Sequence, residues 1–289
     1  MVVINLHQLK AAGKSLEGIF YREYGEKGTC YISKVKPKSE CFPIAEYGKK
    51  LDAMDESEMK DIRLITGHMF YGIHNHFESN CRYISMVRNP VERLISYYYY
   101  LLKTDEIDLS RVLRKNKVTL KEFVSLEKND IEALNFEEHS AFQLEYMLEN
   151  GQCKFLSGLN PSLGESSKII YDKALENVDS YFTTVGITER FDESILLMGK
   201  LLNWRFPIFY TRANVTREKR GDKKEVGQDV VDLISRRNEW DIKLYQKMST
   251  QFIGQFNENI RYPKWELLKL NALSKLFSFY IRAKKVYTV

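Results

Sequence analysis

The chain has 289 residues, 44% of them hydrophobic and 29% charged, which suits a folded protein with a sizeable core and argues against a disordered one. A net charge of +5 is too mild for a dedicated nucleic-acid binder and is compatible with a small anionic ligand. Four scattered cysteines without a CxxC pair give neither a zinc pattern nor a disulfide framework, and residues 1–20 carry no signal-peptide pattern, so a soluble cytoplasmic chain without a transmembrane segment is expected.

Val2 to Leu6 is a short β-branched run that predicts a central strand. The loop that follows holds Lys10, Gly13, Lys14 and Ser15, and Leu16, Ile19, Phe20 and Tyr24 then recur at helical spacing. Residues 25–60 are mixed, with a short strand at Cys30–Val35 and short helices at Pro43–Leu51 and Asp55–Lys60. Asp61 to Thr66 reads as a second main strand, ended by Gly67-His68, and Met69 to Ser79 as a loop or short helix carrying His74 and His76. Tyr83 to Val87 is a buried strand that stops at Arg88-Asn89-Pro90, and Pro90 suits the first turn of a helix carrying Arg93 and Ser96.

From 104 to 160 the pattern is helical. Thr119 and Glu122 have capping-box spacing, Phe136–Asn150 is a helix with Gly151 as its stop, and Phe155–Gly158 breaks the pattern. Glu165–Val178 predicts a helix, Ser180–Ile187 a strand, Phe191–Trp204 an amphipathic helix, 211–226 a basic loop and Val230–Met248 one long helix. Alternating strands and helices predict an α/β fold with a small, mostly parallel sheet and large helical insertions, in one domain over 1–289 with a helical extension from about 250. The last segment, Lys264 to Val289, alternates apolar and basic residues, which fits packing on its own domain or a twin subunit, or lying on a membrane or partner.

Two stretches carry chemistry. Gly13-Lys14-Ser15 ends like a Walker A loop, but Gln8 stands where its first glycine would be, which weakens a nucleotide triphosphatase. Amide groups at a helix N-terminus with Lys10, Lys14 and Ser15 can still hold a phosphate, and Arg88 at a strand tip with Ser96 two turns on can grip another.

In combination these stretches resemble the sulfotransferases that use 3′-phosphoadenosine 5′-phosphosulfate, and most closely the uronosyl 2-O-sulfotransferases of heparan and dermatan sulfate with their bacterial relatives. That family has a loop close to PKTGGTSL; here it is LKAAGKSL, where Lys10, Gly13, Ser15 and Leu16 match and Leu9, Ala11, Ala12 and Lys14 depart. Its RDPVERxxSxYY element corresponds to Arg88-Asn-Pro-Val-Glu-Arg93-Leu-Ile-Ser96-Tyr-Tyr, with Asn89 in place of Asp. Thr66-Gly67-His68, Phe155–Gly158 and Val185–Asp192 resemble its other landmarks, in order.

The resemblance implies a P-loop-like three-layer fold and in-line transfer of a sulfuryl group to an acceptor hydroxyl, leaving adenosine 3′,5′-bisphosphate. It implies that Lys10, Ala12, Gly13, Lys14, Ser15 and Leu16 hold the 5′ end of the donor and Arg88 and Ser96 its 3′-phosphate, joined by Arg217 and Arg220 of the basic loop. His68 is the expected general base and Lys10 the cation at the leaving phosphate, with no metal required. His74 and His76 are candidates to touch the acceptor, a glycan or small molecule bearing a hydroxyl, and a homo-oligomer is compatible with the sequence. The competing readings are a nucleotide kinase or other phosphotransferase, and a non-catalytic binding module on the same fold.

Overall fold

The computed structural model of the chain describes residues 1–11, 13–32, 56–76, 80–104, 108–211 and 226–286, without the side chains of 13–14, 56–58 and 282–286. Five parallel strands form one sheet: β1 (Val2–Leu6), β2 (Thr29–Tyr31), β3 (Leu64–Gly67), β4 (Cys81–Val87) and β5 (Phe182–Ile187). Their order is β2-β3-β1-β4-β5, with β1 in the middle. All five residues of β1 are buried, as expected for a parallel strand covered on both faces. The edge strand β2 is only three residues long, which limits its exposed ladder.

Register follows from side-chain chemistry. Asn5 on β1 lies opposite Thr66 on β3, and its Nδ2 donates to Thr66 Oγ1 at 2.8 Å, so two buried polar groups satisfy each other. Leu6 lies opposite both Gly67 and Ser85, so β1, β3 and β4 run out along the same sheet edge. Gly67 is needed there because a Cβ would stand 2.7 Å from Ile32 Cβ.

Helices make up most of the rest of the described chain. Gly13–Tyr24 follows β1, Pro90–Leu101 follows β4, and Phe191–Leu201, Lys168–Tyr181 and Glu239–Asn259 pack on β5. Thr119 and Glu122 form the capping box that their spacing predicts, at the start of Leu120–Ser125. Among the described residues no helix is long and apolar enough to cross a membrane.

Two expectations need correction. Gly151 does not end a helix; it begins one, Gly151–Ser157, so Phe155–Ser157 are helical and Gly158, at φ +78°, is the stop. The break before it falls on Asn150, in the left-handed region at φ 47°. Gly151 is there because a Cβ would meet the Tyr146 carbonyl oxygen at 2.3 Å and Arg93 Nη2 at 2.9 Å. Gly151→Ala is expected to cost about 1–3 kcal/mol by overpacking, read as a lower midpoint of urea unfolding; an unchanged midpoint would mean that the contact relaxes freely.

The long helix expected at Val230–Met248 is two helices, Gln228–Arg237 and Glu239–Asn259. Asn238 divides them. Its Nδ2 donates to the Leu148 and Ile234 carbonyls, its Oδ1 accepts from the Asn150 N–H, and Asn150 Oδ1 in turn caps the N–H groups of Trp240 and Asp241. The predicted helix at Pro43–Leu51 and most of the basic loop 211–226 lie outside the described residues.

Candidate active site

The loop after β1 leaves the sheet edge by a tight turn. The His7 N–H donates to the Gly67 carbonyl at 3.0 Å, and the Ala11 N–H donates to Gln8 at 3.3 Å. Gln8, where a Walker loop would have glycine, is fully buried and donates through Nε2 to Ser85 Oγ at 3.4 Å. Lys10 has φ 66°, a left-handed conformation that costs a residue with a Cβ about 1–2 kcal/mol. The neighbouring strand tip holds it: Arg88 Nη1 donates to the Lys10 carbonyl at 3.1 Å. The Lys10 ammonium lies 4.4 Å from the centre of the Tyr100 ring, one helical turn beyond Ser96. The two stretches singled out by the sequence are therefore joined by two contacts.

Arg88 is fixed at its backbone as well. Its N–H donates to Gln152 Oε1 and its carbonyl accepts from Gln152 Nε2, both at 2.8 Å. Asn89 caps the next helix by accepting from the Glu92 N–H at 3.2 Å, Pro90 occupies the first turn, and Glu92 comes within 4.0 Å of the Arg88 guanidinium. Gln152 belongs to no motif in the sequence reading and was missed. Its own N–H and that of Cys153 donate to the Asp241 carboxylate at 3.0 and 2.7 Å, and Asp241 also faces Arg93 at 3.6 Å. Asp241 and Arg93 are both almost wholly buried, so this ion pair forms the base of the Arg88 tip.

His68 sits just past β3. Its Nδ1 lies 2.5 Å from the His7 carbonyl oxygen. A carbonyl only accepts, so Nδ1 carries the proton and the neutral ring keeps its lone pair on Nε2. The His7 ring lies 4.3 Å away, and burial together with the His68 ring holds His7 well below the ordinary imidazole range.

The other sequence candidates are placed as follows. Ser96 is half-buried on the helix after Arg88, and Leu16 is buried in the core. Ser15 lines a cavity of about 640 Å³ next to the tip of β5, together with Thr188, Tyr210 and Asn271 and with the charged residues Glu189, Arg190, Asp192 and Glu193. Among the described residues Thr188 Oγ1, buried there, meets no hydrogen-bond partner. His74 is held by Tyr83, whose hydroxyl lies 2.8 Å from its Nδ1, and packs on Tyr71 and Tyr181; burial lowers its basicity. His76 is half-buried in the same short 3-10 turn. Gly13 opens its helix, while Ala12, the Lys14 side chain, Arg217 and Arg220 lie outside the described residues. Among the described residues no cluster of three His, Cys, Asp or Glu side chains is placed to hold a metal ion.

Comparison with known proteins follows the same lines. The sulfotransferase domain family matches residues 20–148, a span that includes His68, Arg88 and Ser96. A relative described as a heparin sulfate O-sulfotransferase, from Drosophila melanogaster, is 30% identical over 150 residues, which cover 50% of this chain and 39% of that one. The match thus spans about two fifths of the relative's length. The small five-stranded parallel sheet is consistent with the P-loop-like α/β fold of the sulfotransferases. Over residues 20–148 the chain is thus similar to the sulfotransferase domain family, and over 150 residues to the Drosophila protein.

Proposed function

We propose that this chain transfers a sulfuryl group from 3′-phosphoadenosine 5′-phosphosulfate to a hydroxyl of a saccharide acceptor. The observation that carries the reading is the bond from Arg88 to the Lys10 carbonyl, which brings both phosphate-gripping stretches to one sheet edge beside His68. The residues at the sheet edge fit an anionic nucleotide: Lys10, Arg88 and a helix N-terminus meet there. When bound, the donor supplies an activated sulfur whose bond to phosphate breaks as the acceptor oxygen bonds to it.

The chain's own residues then have three tasks. His68 takes the acceptor proton on Nε2, because Nδ1 is already committed to the His7 carbonyl. Lys10, with the first amides of the Gly13–Tyr24 helix, offsets the charge that gathers on the departing phosphate. Arg88, pinned by Gln152, holds the 3′-phosphate with Ser96 and so fixes the line of displacement. A glycan acceptor is favoured by the likeness to the Drosophila protein.

The test is transfer of labelled sulfate from the donor into a panel of glycans, lipids and phenols, with incorporation expected in the glycans and none anywhere contradicting the reading. Arg88→Ala is expected to weaken binding of adenosine 3′,5′-bisphosphate about 10–10²-fold by calorimetry, the loss of a charge-assisted contact. Equal affinity would remove Arg88 from the phosphate site.

A further inference from the structure

The helix Pro263–Val286 is apolar on two opposite faces. One face packs on the protein: Leu270 is buried, the Ser274 hydroxyl accepts from the Tyr210 N–H at 3.1 Å, and the Phe277 ring lies 4.7 Å from Phe209. The other face meets solvent. Trp265, Leu268, Ala272, Leu276 and Phe279 recur at spacings of three and four and so fall on one stripe. Its large members are 66%, 65%, 67% and 74% exposed for Trp265, Leu268, Leu276 and Phe279, and exposed Tyr262 and Tyr280 widen its edge. Single exposed apolar residues are ordinary, but a contiguous stripe of this kind marks an interaction surface.

Charge decides what covers it. Arg261, Lys264, Lys269 and Lys275 are all exposed along this stretch, and the only carboxylate between Arg261 and Ile281 is the half-buried Glu266. Arg282, Lys284 and Lys285 continue the basic character in sequence. Two copies packed stripe to stripe would bring these cations together with Glu266 as the one carboxylate of this stretch to offset them. An anionic bilayer accepts both parts, apolar side chains below the headgroups and lysines among the phosphates. Tryptophan and tyrosine are the aromatic residues that settle at that boundary. The helix is too short of apolar residues to cross a membrane, so it would lie in the plane of the surface.

We infer that the outer face of the Pro263–Val286 helix seats this protein on an anionic lipid surface. The inner face supplies Leu267 and Asn271 to the cavity beside Ser15, so seating the helix would bring that cavity close to the lipid surface. The inference does not depend on the proposed reaction.

The experiment is co-sedimentation of the full chain with vesicles of phosphatidylcholine alone and of phosphatidylcholine with phosphatidylserine. Binding to the serine-containing vesicles is expected to be about 10²-fold stronger and to weaken with salt. Leu268→Glu with Phe279→Glu should abolish it, with the melting curve and the affinity for adenosine 3′,5′-bisphosphate unchanged. Should that pair unfold, Lys264→Glu with Lys275→Glu must remove the preference for serine vesicles. The inference is overturned by a wild-type chain that binds neither vesicle or both equally, or by charge or stripe variants that still prefer the anionic one. It is equally overturned if light scattering finds a dimer that the stripe variant dissociates, since a second copy would then cover the face.

Discussion

His68→Ala is expected to lower turnover about 10²–10⁴-fold while leaving the affinity for adenosine 3′,5′-bisphosphate nearly unchanged, the range for loss of a positioned general base. The expectation rests on the bond between His68 Nδ1 and the His7 carbonyl, which fixes both ring orientation and tautomer. Glu92, on the neighbouring helix, lies within 4.0 Å of Arg88, where its charge complements the guanidinium. The contrast to measure is therefore turnover against product affinity. A His68→Ala enzyme with unchanged turnover would remove His68 from proton transfer, whereas loss of both quantities together would make it a structural residue.

The second large effect is on stability. Asp241→Ala is expected to cost about 3–5 kcal/mol, because it leaves the buried Arg93 guanidinium uncompensated. The same change deprives the N–H groups of Gln152 and Cys153 of their acceptor at the start of the Gly151–Ser157 helix. Since Gln152 pins the Arg88 backbone, the surviving folded fraction should also bind adenosine 3′,5′-bisphosphate more weakly. Urea unfolding followed by circular dichroism gives the first quantity and calorimetry the second. A change in unfolding free energy below about 1 kcal/mol would show that the Arg93 pair contributes little, as exposed pairs do.

Much of the sheet edge is legible in the sequence because its signals are local. The β-branched run at Val2–Leu6, the stop at Arg88-Asn89-Pro90 and the Thr119–Glu122 capping box each sit within a few residues, and the structure has all three. What the sequence hides is tertiary. The hydrophobic period runs on through Asn238, and the helix breaks there because Asn150, 88 residues away, exchanges caps with it. Gly151 resembles a helix stop until the Tyr146 carbonyl and Arg93 are seen against it. Gln152 and Asp241 carry no motif, and only the fold brings them beneath Arg88. The contact between the His74 ring and the Tyr83 hydroxyl is likewise one that periodicity cannot foresee.

On the proposed function, the edge formed by Lys10, His68 and Arg88 binds a nucleotide with both a 5′ and a 3′ phosphate. Titration calorimetry comparing adenosine 3′,5′-bisphosphate with adenosine 5′-monophosphate tests it most directly. One site per chain that prefers the bisphosphate is expected, with the preference lost in Arg88→Ala. Equal affinity for the two nucleotides, or binding of neither, would contradict it.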